Sequence, residues 1–176
     1  MFNGNFRFRR DLLDLPLRVK TPTTWAVWTD LFGAGVHPDA IGAAFNIMKG
    51  CSWHRFLVLT KRPKRAALAT CGGPVWADNI WIGTTVESMN LIDRLFWLSK
   101  IPAMHRFVSV EPMLEPIDIE GFAIDWVICG PETGRNAREC DLAWIKNLHT
   151  QSQAGNIPFF DKSKNPLARE LPWVKG

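Results

Sequence analysis

A chain of 176 residues, 47% hydrophobic and 22% charged, has the size and composition of one folded domain, which excludes an intrinsically disordered protein. Its formal charge of +4 leans basic, but no run of five or six like charges marks a polyanion-binding tail. There is no apolar run of membrane-spanning length, and the opening Met1-Phe2-Asn3-Gly4-Asn5 has no apolar signal core, so a soluble, cytoplasmic protein without a membrane partner is expected.

In chain order, the first 20 residues form an arm: basic Arg7, Arg9 and Arg10, candidates for nucleic-acid binding, then an apolar patch of Leu12, Leu13, Leu15 and Leu17, expected to pack on the body of the domain. From there short apolar runs recur, each ending in charge. Residues 24–29 lead to Asp30, 55–60 to Lys61 and Arg62, 79–86 to Glu87, 106–110 to Glu111, 125–131 to Glu132, and 157–160 to Asp161 and Lys162. The runs are rich in β-branched and aromatic residues and nearly continuous, the pattern of parallel strands buried on both faces. Between them, Pro38–Lys49 and Leu91–Lys100 read as amphipathic helices, and Lys64–Thr70 as a shorter one. Asp141 caps a further helix that Gly155 closes in the left-handed manner. Residues 115–119 read as irregular, and 165–176 as an extended tail anchored by Leu171 and Trp173. Six βα-like beats predict one α/β domain over residues 1–176, a partial (β/α) barrel of about six parallel strands; a doubly wound open sheet is the alternative. Nine tryptophans without a tyrosine predict indoles in the core, each with a partner for its N–H, or some of them stacking on nucleobases.

In a parallel barrel the charges that follow the strands converge on one rim, where they bind a ligand or pair with one another. Lys61 and Arg62 are candidates for a carboxylate or phosphate, or for ion pairs with Glu87 or Asp30. Glu111, held before Pro112, is a candidate acceptor or general base, or a partner of Lys61. Gly130 and Gly134 flank Glu132 and Thr133, which lets backbone approach a bound group, and Arg135 and Arg138 follow as anion candidates or as partners of Glu132 and Glu139. Cys51, Cys71, Cys129 and Cys140 have no metal-site spacing, so free thiols and no metal site are expected. His37, His54, His105 and His149 form no triad or metal group, and Trp53-His54-Arg55 falls on the rim opposite the candidate site.

The stretches Thr29-Asp30-Leu31-Phe32, Leu59-Thr60-Lys61-Arg62-Pro63, Val86-Glu87, Ser109-Val110-Glu111-Pro112, Gly130-Pro131-Glu132-Thr133-Gly134 and Ala137-Arg138 lie in one order along the chain. They resemble a family of bacteriophage and bacterial proteins related to radical SAM enzymes, some encoded beside a three-cysteine-motif partner. The resemblance implies a radical-SAM-like partial barrel whose strand ends hold S-adenosylmethionine (SAM) near Asp30, Glu87, Glu111 and Glu132, beside a [4Fe–4S] cluster. That cluster sits on cysteines of an N-terminal βα unit, and this sequence is expected to begin after it, since C-x-x-x-C-x-x-C occurs nowhere. The family's Gly-Gly-Glu-Ser-Gly reads Gly-Pro-Glu-Thr-Gly here, and the proline removes a backbone donor. No cofactor is expected from this chain alone. The expected function is a shortened, cluster-free phage protein, in the host cytoplasm, acting by binding a host protein or nucleic acid. The alternative is a SAM-binding enzyme component whose cysteines come from a separately encoded chain.

Overall fold

The structure is a computed structural model and describes residues 9–27, 29–72 and 76–173. Arg7 lies outside the described residues, as does the side chain of Arg10.

Among the described residues, β1 (Thr24–Val27), β2 (Arg55–Thr60), β3 (Ile80–Thr85), β4 (His105–Val110), β5 (Trp126–Cys129) and β6 (Phe159–Asp161) form one sheet in the order of the chain. Every neighbouring pair is parallel. A doubly wound sheet reverses its order at a switch point, and this one never does, so the chain winds one way into a half-barrel. The strands read as continuous apolar runs because both faces are covered. Phe56, Val58, Ile80, Ile82, Val108, Val127 and Phe159 join the helices in the larger core. The alternate residues Leu57, Leu59, Trp81, Phe107, Trp126, Ile128 and Phe160 form a second cluster on the concave face, closed by Leu171 and Trp173.

On the convex side, α3 (Pro38–Gly50) starts at His37, whose ring accepts from the Asp39 N–H, and buries Ile41, Phe45 and Met48. The short helix α4 (Pro63–Thr70) makes two turns, with proline at its first position, where no N–H is needed. The helix expected from Leu91 starts as a 3-10 turn (Met89–Leu91), and α5 spans Asp93–Ser99. Between β4 and β5 there is no helix; Met113, Ile117, Ile119 and Ile124 from the irregular crossover fill the core in its place. Helix α6 (Leu142–Ala154) begins at Asp141, which accepts from the Ala143 N–H at 2.8 Å. Its end departs from expectation. Gly155 keeps a right-handed φ of −84°, and Asn156 takes the left-handed conformation at φ 52°. The short side chain of asparagine tolerates that region almost as glycine does.

The arm forms two single turns, α1 (Arg10–Leu13) and α2 (Leu15–Arg18), and α2 lies against α3; Leu13 is half-buried, but Leu12, Leu15 and Leu17 of the expected apolar patch are exposed. Polar contacts hold it. Buried His54 accepts from the Thr23 N–H at Nδ1, so Nε2 carries the proton and donates to the Pro16 carbonyl at 2.9 Å. The Trp53 indole donates to the Val19 carbonyl at 3.0 Å. The expectation that every core indole finds a partner also fails, since among the described residues the buried N–H groups of Trp25 and Trp76 have none. At the other end the tail runs antiparallel along β6, with Asp161 N–H to Ala168 O and Glu170 N–H to Phe159 O, both 2.9 Å, which covers that sheet edge. It then passes under the concave face, where the Trp126 indole donates to the Glu170 carbonyl.

Candidate functional site: the charged rim

The candidate residues continue the concave-face alternation past the strand ends: Leu57, Leu59, Lys61; Gly83, Thr85, Glu87; Phe107, Ser109, Glu111; Ile128, Gly130, Glu132; Phe160, Lys162. Buried strands thus aim a set of charges at one rim, where the charges pair with one another.

Asp30 ties β1 to β2. Its carboxylate accepts from the Phe32 N–H (3.0 Å), the Thr60 hydroxyl (2.6 Å), the Lys61 N–H (3.2 Å) and the Arg62 guanidinium (3.0 Å). Glu87 accepts from Lys61 at 2.6 Å and from Arg94 at 3.0 Å, and only 12% of its side chain is exposed. Glu111 takes the Ser109 hydroxyl at 2.9 Å and Lys162 at 3.0 Å. Its partner therefore comes from the end of β6 and not from Lys61. Gly130 lies beside this pair: a Cβ there would come 3.2 Å from the Lys162 Cβ, a tight approach, and 3.5 Å from a Glu111 carboxylate oxygen, an ordinary contact. Glu132 is forked by Arg138 at 2.7 and 2.8 Å and also accepts the Arg138 backbone N–H.

Thr133 and Arg135 are exposed beside that pair, while Arg9 is exposed and bound to Asp11 on the arm, away from the rim. Lys162 is among the charges expected at the rim; Arg94 and Ser109 are not. Arg94 lies seven residues after Glu87, and Ser109 is the concave-facing residue two before Glu111, so strand alternation carries the signal for the serine.

Electrostatics follow the pairing. Burial alone would raise the Glu87 carboxyl, but Lys61 and Arg94 outweigh it and hold it below its ordinary range. Hydrogen bonds from Arg138 take Glu132 down to about 2. Both are anions at neutral pH, suited to accepting hydrogen bonds and not to donating a proton. A carboxyl whose folded pKa is depressed contributes stability above its unfolded pKa and loses it as pH falls through the folded one. The midpoint of urea unfolding is therefore expected to drop as pH falls from about 4.3. Glu87→Gln should flatten that slope, as followed by tryptophan fluorescence at pH 3 to 7.

The residues present do not fit an iron–sulfur cluster. Burial pushes up the thiols of Cys51, Cys129 and Cys140, the opposite of what a thiolate ligand needs. Among the described residues no three His, Cys, Asp or Glu side chains gather as a metal site.

Beside the rim, α4 and α5 enclose an open cleft of about 470 Å³ on the outer surface. Lys61, Arg62, Lys64 and Arg94 edge it together with one carboxylate, Asp93; Leu68 (66% exposed) and Trp97 supply its apolar wall. The Lys64 ammonium lies 5.0 Å from the Trp97 ring centroid.

The family described as Protein of unknown function (DUF5131) matches residues 1–168. No curated protein and no solved structure matches the chain. Among the described residues, no helix is long and apolar enough to cross a membrane.

Proposed function

The chain belongs to the DUF5131 family, and on that premise we propose that it is a binding protein: a radical-SAM-like half-barrel, of phage kind, that holds no cluster of its own and acts by engaging a host protein. The observation that carries this reading is the pairing of Asp30, Glu87, Glu111 and Glu132 with Arg62, Lys61 and Arg94, Lys162 and Arg138. Carboxylates committed to cations of the same chain stabilise the rim and are not poised for acid–base work.

The cleft between α4 and α5 is then the face open to a partner. Its apolar wall and cationic edge complement an acidic segment carrying an apolar anchor. Lys61, Arg62 and Arg94 already neutralise carboxylates of the chain, so Lys64 supplies the edge's charge for the acidic segment, and the apolar wall of Leu68 and Trp97 favours a peptide anchor over a nucleic acid. The test is fluorescence anisotropy with a labelled amphipathic peptide of Glu and Leu and with a single-stranded oligonucleotide of equal charge. Peptide binding that weakens at least tenfold in Leu68→Asp and in Lys64→Glu is expected; Leu68 is too exposed for its loss to unfold the domain. Oligonucleotide binding that falls steeply with salt and ignores Leu68→Asp contradicts the protein partner.

A second reading has one observation in its favour. The rim gathers carboxylates and ammonium groups at a single mouth, a match for a zwitterion such as the methionine end of SAM, with cluster cysteines coming from another chain. Calorimetry with SAM decides it: heat that disappears in Glu111→Gln supports this reading, and no heat removes it.

A further inference from the structure

At the mouth opposite the rim, β2 opens with Arg55, whose side chain takes the concave direction because Phe56 takes the other. The tail lays Trp173 under it, with the guanidinium carbon 4.2 Å from the ring centroid. Among the described residues the buried Nε has no hydrogen-bond partner, and Arg55 makes no ion pair within 4.0 Å. The nearby Asp78 does not serve as its partner. Its carboxylate is taken by His105 Nε2 at 2.8 Å and is 80% exposed. Burial accordingly pulls the guanidinium down from its usual value.

A polar cavity of about 340 Å³ opens on this group, with Thr24, Ser52 and Trp53 on its walls. His54, also on the wall, has both ring nitrogens occupied. Asp78 also lines the cavity and its charge favours the guanidinium, but it makes no ion pair with Arg55, so a partly buried cation is left without a hydrogen-bonded anion, which is costly to the fold unless a ligand supplies one. The planar guanidinium fork recognises carboxylate and phosphate oxygens two at a time, the threonine and serine hydroxyls can donate further hydrogen bonds, and the two indoles offer flat walls.

We propose that this cavity is a binding site for a small oxyanion, a carboxylate or a phosphate, held by Arg55 against Trp173. The site stands apart from the rim and from the α4–α5 cleft, so it does not depend on the function proposed above.

The experiment titrates the full chain with sodium acetate and, separately, with sodium phosphate, at ionic strength held constant with sodium chloride. Tryptophan fluorescence and thermal unfolding are followed together. A saturable change with at least one of the two anions is expected, accompanied by a rise in Tm, and the arm that saturates identifies the carboxylate or phosphate source. Arg55→Gln should weaken it at least tenfold. Ser52→Trp, an exposed residue at the mouth, should block it while leaving Arg55 in place, which keeps the test decisive if Arg55→Gln fails to fold. Leu68→Asp should leave it unchanged. No saturation with either anion, or the same response in Ser52→Trp, overturns the proposal.

Discussion

Gly83→Ala is expected to destabilise the domain by about 3 kcal/mol, the upper end of what overpacking a core costs. A Cβ at position 83 would lie 2.3 Å from the Phe107 ring. That ring cannot swing aside: it is 2% exposed, meets Trp126 at 6.0 Å between centroids, and belongs to the cluster that the tail closes. The concave face is thus packed as pairs of unequal size, glycine on β3 against phenylalanine on β4, whose Cα atoms are register partners. Phe107→Leu in the Gly83→Ala background should recover part of the loss, although it costs stability by itself. Urea unfolding of the two single variants and the double variant measures the coupling. Additive losses would show that the two positions do not share the space.

Asp30→Ala should cost about 3 to 4 kcal/mol, because it removes an acceptor for two backbone N–H groups, the Thr60 hydroxyl and the Arg62 guanidinium together. Asp30→Asn should recover only part, since an amide offers one acceptor oxygen where the carboxylate uses two. A rim carboxylate that existed to hold a ligand would be expendable to the fold. A loss below about 1 kcal/mol, the scale of an exposed ion pair, would therefore contradict the structural role given to Asp30 here.

The strands were legible because two-sided burial writes a nearly continuous apolar run, and Arg55–Thr60 reads the same in sequence and structure. The single direction of winding follows the partial barrel that the six βα beats favoured over a doubly wound sheet, although local pattern by itself does not record which neighbour a strand takes. Rim pairing was half legible. Arg62 with Asp30 and Lys61 with Glu87 join ends of adjacent strands, and both pairs could be anticipated from order. Glu111 with Lys162 reaches from β4 to β6 across Gly130, and a glycine in such a stretch reads equally as room for a ligand. The exposure of Leu12, Leu15 and Leu17 was hidden because an apolar patch on two single turns reads as a packing face whether or not anything packs against it. The left-handed residue at Asn156 was hidden by the glycine just before it.

The most direct measurement maps backbone amide shifts of the full chain as the acidic Glu/Leu peptide is added. Shifts confined to Pro63–Thr70 and Asp93–Ser99, with Gly130–Gly134 unmoved, are the predicted result. Shifts centred on Glu111 and Gly130–Gly134, with α4 and α5 silent, would mean that the rim pairs open to a ligand and would contradict the binding face assigned here.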